Sequence, residues 1–558
     1  FIGFGSFDNP YFTAFENPFR DRVDRMQATL ALKYQPLTWL NILYRAGTDF
    51  YSERRKQIFH NASTFAIVGN NGAVAEDNYF NQDLNSDLVA TGTFDLGEGL
   101  NIIARVGQNF YQYYNQNVYQ QGTGLSLPEF YNVAATTTQI TREFQTIRRT
   151  AAVYGDVSVS YKNWAFLNGS IRNEWSSTLP VSTRSFLYGS ASASLVFTEM
   201  LGMPEDGFLG FGKIRGSYGV VGNSAPAYVL NTVFVSPGIG DGWTSFGATP
   251  FPFNGRGGFL QSVNIGNPDL RPELLTEFEV GTELRFLNGF LSLDLSYFQR
   301  VSSDLILPVP VATSSGFSSI RLNAGQISNT GVEALATFNF YRDNDLRVDL
   351  TLNFTSIRNN VDNLAQGVPQ VGLGGFNSAA AFAIAGRPYS ATFGFGYYKD
   401  DQGRVLIQGP TLANGQPNPR AGLPVGQDPT QKYLGDPYPT WTGGVRPTIS
   451  YKGITLTALL DIRQGGLMWN GTRAAQNNYG ITKETENRTD RGPLDGVLTV
   501  ADPTAPGGWR TTGMPNNIPL ASPTDPNAYR RVEDYYRNFH NTFSNIGEPF
   551  MEDMSWLR

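Results

Sequence analysis

At 558 residues the chain exceeds the length at which single hydrophobic cores stop growing, so it is expected either to split into several soluble domains or to form one large closed barrel. Only 16% of the residues are charged while 13% are aromatic, and no run approaches the ~20 consecutive apolar residues that a membrane-spanning helix needs, which excludes a helical membrane protein. A net charge of -6 leaves no basic footprint for nucleic acid, and the absence of cysteine excludes disulfide frameworks, thiolate metal sites and cysteine nucleophiles.

Phe1 opens on a Gly- and Phe-rich segment with neither a basic start nor a cleavage site, so the numbering is expected to begin inside a mature protein. From there, polar and apolar residues trade places with a period of two along the whole chain. Met26 to Tyr34, Val153 to Tyr161 and Leu291 to Tyr297 show it, as does Gly331 to Phe340 with Val332, Ala334, Ala336, Phe338 and Phe340 on one face. Leu346 to Phe354 alternates without a break, and Ile454 to Ile462 sets Ile454, Leu456, Ala458, Leu460 and Ile462 together. About fourteen such segments are visible. Each is near the ~9 to 11 residues with which a tilted strand crosses hydrocarbon.

The connections sort by length. Tight turns are expected at Gln35-Pro36, Asp95 to Gly99, Lys162-Asn163, Asn288-Gly289, Arg342 to Asp345 and Lys452-Gly453, with a longer turn at 198 to 210. Between them lie long connections, roughly 47 to 85, 109 to 149, 221 to 276, 300 to 329, 357 to 443 and 464 to 555. Short turns on one side and long loops on the other are the layout of an all-β transmembrane antiparallel barrel of the outer membrane, and a soluble sandwich has no reason to adopt it.

Motifs that suggest chemistry have blander explanations. Gly207 to Lys213 has the G-x-x-x-x-G-K frame of a phosphate loop, but Ile214 stands where a hydroxyl residue would hold magnesium, and a strand follows instead of a helix. The two histidines, His60 and His540, fall in expected long loops and are read as solvated, which argues against a Ser-His pair or a His-based metal site. Asp343-Asn344-Asp345 reads as a hairpin turn, and Asp490 to Asp495 lacks regular calcium-loop spacing, leaving calcium in an extracellular loop as an open alternative to no cofactor. Tyr111, Tyr113, Tyr114 and Trp243 are candidates for stacking on a ligand, weighed against the interface aromatics that every barrel carries.

Two stretches narrow the reading. Asn267-Pro268-Asp269-Leu270-Arg271-Pro272-Glu273, followed by Thr276, Glu277 and Gly281, resembles the motif that introduces a mid-barrel strand in TonB-dependent transporters. Trp175-Ser176-Ser177-Thr178-Leu179-Pro180, with Lys213, Arg215, Gly219, Gly222 and Asn223 in the Gly212 to Asn223 segment, resembles the SusC/RagA branch. These positions are read as structural. The resemblance implies a barrel of 22 strands around an N-terminal plug, with 1–558 a partial barrel and the plug and last strands lying outside this sequence. It further implies TonB-driven import of oligosaccharides or oligopeptides, no covalent chemistry, and a SusD-like lipoprotein lid. TonB would be engaged through the missing N-terminal region. The alternatives are a passive or structural outer-membrane barrel and a secreted all-β glycan-binding protein.

Overall fold

The computed structural model describes residues 8–63, 71–235, 238–239, 249–250, 255–376, 378–486, 488, 491–521, 528–541 and 546–558. Long strands dominate: β1 Phe19–Leu37, β2 Leu40–Phe59, β3 Ala73–Asp95, β4 Leu100–Leu125, β5 Thr136–Tyr161, β6 Ala165–Ser176, β7 Ser185–Val196 and β8 Leu209–Asn223 come first. They are followed by β9 Glu273–Phe286, β10 Leu291–Ser303, β11 Gly325–Arg342, β12 Leu346–Leu364, β13 Trp441–Tyr451 and β14, which runs Ile454–Thr457 and resumes as Leu460–Gln464. These strands match the segments expected from alternation.

The chain forms two compact units, one of Phe1–Gly202, Lys213–Phe278 and Ser302–Ala324, the other of Met203–Gly212, Glu279–Val301 and Gly325–Arg558. In the first, β1 to β8 pair antiparallel in chain order and β9 follows β8. In the second, chain order continues through β10, β11, β12, β13 and β14, and Trp556–Leu557 pairs with the later half of β14. A ladder without crossovers follows from tight hairpins. Lys162 and Asn163 both take positive φ between β5 and β6, as the mirror-image hairpin turn demands, and Asn288-Gly289 and Lys452-Gly453 do the same further on.

Each strand shows two chemically different faces. On β6, Leu167 and Ile171 are exposed apolar residues, whereas Asn168, Ser170, Arg172 and Glu174 lie on the opposite side. The same split places Leu30, Leu32 and Tyr34 of β1 and Val153 and Val157 of β5 on an exposed apolar face. An apolar band backed by a polar face is how a sheet separates lipid from water.

Three expectations are corrected. The first tight turn lies at Thr38-Trp39, not Gln35-Pro36, because β1 absorbs Pro36 in an irregularity between Tyr34 and Leu37, where the missing N–H breaks no ladder bond. The expected loops 47 to 85 and 109 to 149 are largely strand, with real connections only at 60–72 and 126–135. There both faces are polar, so the hydropathy signal fades while the register runs on unbroken. β4 and β5, of 26 residues each, span about 85 Å at ~3.3 Å per residue, far more than the bilayer requires.

The third correction concerns His540, which is buried rather than solvated. The connections 365–440 and 465–555 fold against each other around Tyr397, Leu423, Leu520, Val532, Tyr535, Tyr536, Phe539 and Ile546. Tyr397 Oη lies 3.0 Å from both the Phe539 carbonyl and His540 Nδ1, and Lys399 Nζ reaches Glu548 at 2.6 Å. The His540 ring stacks on Tyr535 at 5.1 Å and packs on Phe550 at 4.7 Å. His60 is likewise half-buried, edge-on to Phe12 at 5.5 Å.

Burial pushes the His540 imidazole down to about 4, against the pull of Glu484, whose carboxylate lies 3.4 Å from Nε2. Burial raises Glu484, but Arg473 and His540 outweigh it and leave that carboxyl below its usual range. Between pH 4 and 6.5 the unfolded chain therefore binds the extra proton, so stability rises with pH through this window and is lost as pH falls through it. The histidine contribution is on the order of 3 kcal/mol. The protection of amides in residues 528–541, taken relative to intrinsic exchange at each pH, is expected to fall from pH 6.5 to 4 and to lose most of that dependence in His540→Gln; wild-type protection independent of pH would contradict the burial argument.

The two faces give a second test. Leu167→Arg on the apolar face is expected to cost about 2 to 4 kcal/mol of folding free energy in lipid vesicles if it lies near the midplane, and Asn168→Arg on the polar face far less. Equal folding yields would reverse the assignment.

Candidate functional site

The polar face of the first unit is densest on β3 and β4. Successive same-face positions on β3 are Asp77, Tyr79, Asn81, Asp83, Asn85 and Asp87, and in register on β4 stand Tyr119, Asn117, Asn115, Tyr113, Tyr111 and Asn109. Every one of these side chains can form hydrogen bonds, and none is aliphatic. Most are satisfied across the strands: Asn109 Nδ2 donates to both Asn85 and Asp87 at 2.8 Å, Asn115 Nδ2 to Asn81 at 2.6 Å, and Tyr111 Oη to Asp83, while Tyr79 Oη donates along β3 to Asp77 at 2.8 Å. Such cross-strand pairs hold the side chains in fixed directions.

Next to this ladder the same face forms a cleft of about 490 Å³, lined by Asp87, Asn109, Tyr154, Asp156, Ser170, Arg172, Tyr188 and Ser190 among others. Its charges are matched in place. Arg172 Nη2 contacts Glu174 at 2.9 Å, Arg45 Nη2 contacts Asp87 at 2.9 Å, and Arg105 Nη1 contacts Asp156 at 2.7 Å. Arg172 also reaches Asn109 at 3.3 Å, and Tyr188 Oη donates to Glu174 at 3.1 Å. The cleft offers phenol rings, hydroxyls and paired charges, which suits recognition of a polar ligand. No trio of His, Asp or Glu among the described residues is placed to hold a metal ion. Asp343 Oδ1 instead accepts the Asp345 and Leu346 backbone N–H groups, closing its own turn.

The stacking candidates do not form one platform. Tyr111 and Tyr113 point to the polar face, whereas Tyr114 points to the other, where its hydroxyl accepts from Gln145 at 2.8 Å and its ring meets Phe80 edge-on at 6.1 Å. A period of two separates consecutive tyrosines by geometry alone. Trp243 lies outside the described residues. Sequence reasoning missed Arg172, Tyr154 and Tyr188; the signal was available as same-face positions on adjacent strands, but only the register aligns them.

The motif residues do converge. Leu179, Phe186, Ala225, Leu270 and Ile306 form one buried cluster. Glu273 fastens it, accepting the Ile306 backbone N–H on Oε1 at 2.7 Å and Asn223 Nδ2 on Oε2 at 2.8 Å. Asn267 Oδ1 accepts the Asp269 N–H at 2.9 Å while its Nδ2 donates to the Arg321 carbonyl, so the Pro268 to Pro272 stretch is held in one conformation. Ser176 Oγ bonds Thr178 Oγ1 at 3.0 Å, Ser177 Oγ accepts the Arg149 N–H at 2.9 Å, and the Pro180 carbonyl accepts from Arg184 at 2.7 Å. A Cβ on Gly222 would overlap the Phe186 ring, which accounts for glycine there. Lys213, Arg215 and Gly219 stand apart on β8, in register with Val196, Ser194 and Ser190.

Residues 2–458 match the family described as TonB dependent receptor-like, beta-barrel. The chain belongs to that family. Membership makes the fold a transmembrane β-barrel of the outer membrane, with the apolar face toward lipid and the polar face toward the lumen. Among curated relatives from Formosa agariphila, TonB-dependent receptor P39 is 25% identical over 236 residues, 42% of this chain and 22% of its own length. TonB-dependent receptor P26 is 24% identical over 393 residues, 66% of this chain and 37% of its own. Among solved structures, a chain of the RagAB peptide importer in the 'closed-closed' state superposes with a TM-score of 0.70 at 19% identity, covering 98% of this chain and 56% of that one. The RagAB peptide transporter gives 0.69 at 18%, covering the same shares. This chain therefore spans about half of the RagAB chain and less of the curated relatives. The SusC/RagA resemblance agrees with this likeness of fold.

The knot yields a test. Leu270→Ala is expected to destabilise the folded protein by about 2 to 5 kcal/mol by opening a cavity in the cluster, while Asp269→Ala, exposed beside it, stays within about 0.5 kcal/mol. Denaturant titration of both variants reads the difference.

Proposed function

We propose that the protein of which this chain forms the barrel imports a polar oligomer, an oligosaccharide or an oligopeptide, across the outer membrane with energy supplied through TonB. The observation that carries this reading is family membership joined to the lumen wall: β3 to β8 present phenols, amides and internally matched charges along a path of polar positions. A wall of this kind holds a polar ligand without retaining it by one dominant ion pair. A plug domain and a TonB-contacting segment in the full-length protein belong to the reading, as does a SusD-like lipoprotein over the mouth. RagAB, to whose structure this chain is similar in fold, is a peptide importer, and this supports transport of oligomers. Described residues of the 365–440 and 465–555 connections share a buried core, and a surface held in this way lowers the entropy cost of docking such a lipoprotein.

Purification of the full-length protein from its native membrane is expected to recover a SusD-like lipoprotein in near-equal amount, and uptake of the cognate oligomer is expected to stop when TonB is deleted. Undiminished uptake without TonB would favour a passive barrel instead.

A further inference from the structure

β5 outgrows one of its neighbours. It pairs with β4 from Tyr161 to Thr136, but β6 stops at Ser176, opposite Thr150. From there to the 126–135 connection β5 has a strand on one side only, and no other strand among the described residues takes the second side. Both neighbours lie inside the sheet, so the open edge follows from a difference in strand length. The last bonds on that side fix the direction of its free groups. The Ile147 N–H donates to Tyr228 Oη at 3.0 Å, the Arg149 N–H donates to Ser177 Oγ at 2.9 Å, and the Arg149 carbonyl accepts from the Ser177 N–H. The N–H and C=O of one residue point the same way in a strand, and the register has no bulge here, so Gln139, Thr141, Glu143 and Gln145 also turn their backbone groups away from β4. Those groups have no partner among the described residues, and all four residues are exposed.

An edge of this kind is normally blunted by Pro, by a bulge or by a covering loop. Thr137 to Arg149 contains neither Pro nor Gly. Residues 137–147 run about 33 Å at ~3.3 Å each, room for a second strand of some length. The face beside the edge that continues the lumen wall is specific in its chemistry. Arg142, Phe144, Thr146 and Arg148 stand there in register with Tyr119, Asn117, Asn115 and Tyr113 of β4. Phe144 is 60% exposed. Arg148 Nε is shielded from water without an acceptor, and neither Arg142 nor Arg148 has a carboxylate within ion-pair distance among the described residues. Glu143 belongs to the opposite face, where it accepts from Gln116 at 2.7 Å. Two uncompensated cations therefore flank an exposed ring along one open edge.

We infer that this edge is a peptide-binding site, at which an extended oligopeptide adds to β5 as a further strand and pairs with the backbone of Gln139, Thr141, Glu143 and Gln145. In strand addition the main-chain hydrogen bonds supply affinity and alternate side chains supply specificity. Peptide side chains on the lumen-wall face meet Arg142, Phe144 and Arg148. The favoured peptide therefore carries carboxylates six positions apart with an apolar residue between them. A saccharide has no row of N–H and C=O groups at the spacing of a strand, so the edge selects peptide. This inference rests on the import reading above and narrows its cargo to acidic oligopeptides.

Fluorescence anisotropy with the full-length protein in detergent tests it, using a labelled ten-residue peptide rich in Thr and Val that carries two Asp six positions apart. Two further peptides are N-methylated, one on the odd amides and one on the even. Wild type is expected to bind one methylated peptide as well as the parent and the other about tenfold or more weakly, because only alternate amides face the edge. Thr141→Pro removes an edge N–H without touching the β4–β5 bonds and is expected to weaken binding about tenfold. Arg142→Gln/Arg148→Gln is expected to lose a similar factor for the Asp peptide and little for its Asn counterpart. Equal binding of the two methylated peptides, or wild-type affinity in Thr141→Pro, would overturn the site. Loss of a co-purified lipoprotein in Thr141→Pro, with peptide affinity unchanged, would overturn it in favour of a partner's strand, and loss of a dimer in favour of a second copy. If the substituted proteins fail to fold, the two methylated peptides on wild type decide the matter. Binding is read here without TonB, so uptake that persists without TonB would remove the import reading and leave this site. TonB-dependent uptake of a saccharide with no peptide bound would do the reverse.

Discussion

A peptide group in hydrocarbon finds no water to bond with, so every N–H and C=O that crosses the membrane must be paired within the protein. The antiparallel ladders of the two units are the response to that constraint, and the other features depend on them. Because the ladder fixes a period of two, each strand divides its side chains between lipid and lumen with no freedom to rotate. The same rule that puts Leu167 in lipid puts Arg172, five residues on, into the lumen. It also explains why Tyr113 and Tyr114 cannot cooperate, although they adjoin in sequence.

Once the faces are fixed, charge has to be managed on each of them separately. In the lumen this is done across strands, by Arg45 with Asp87 and Arg105 with Asp156, and along them, by Arg172 with Glu174. Tyrosine and asparagine donors on β4 satisfy the carboxylates of β3 that lack a cation, such as Asp77 and Asp83. The wall is polar without being strongly charged, a condition suited to passing polar molecules.

Beyond the membrane the ladder constraint lapses, and side-chain packing takes over. The first unit ties its long-loop end with a knot in which Glu273, Asn223 and Asn267 satisfy backbone and side-chain groups around buried Leu270. The second unit uses an aromatic core that holds His540 away from water between Tyr535 and Phe550. Both devices replace regular hydrogen-bonding partners by dispersion contacts and a few well-placed bonds. Connections of such length would otherwise carry a large conformational entropy.

The sequence by itself determined the strands, the tight turns at Lys162-Asn163, Asn288-Gly289 and Lys452-Gly453, and the motifs that mark the family, because alternation and positive-φ turns are local properties of the chain. It understated the strands wherever both faces were polar, as in 109–125 of β4, since a hydropathy pattern needs contrast that those residues lack. The candidate cleft was not legible at all. Asp87, Tyr154, Arg172 and Tyr188 come from four strands, and only the inter-strand register brings them to one height on one face. The burial of His540 was hidden for the same reason: its partners Tyr397 and Glu484 are 143 and 56 residues away along the chain, and no local pattern can encode a core assembled from separate loops.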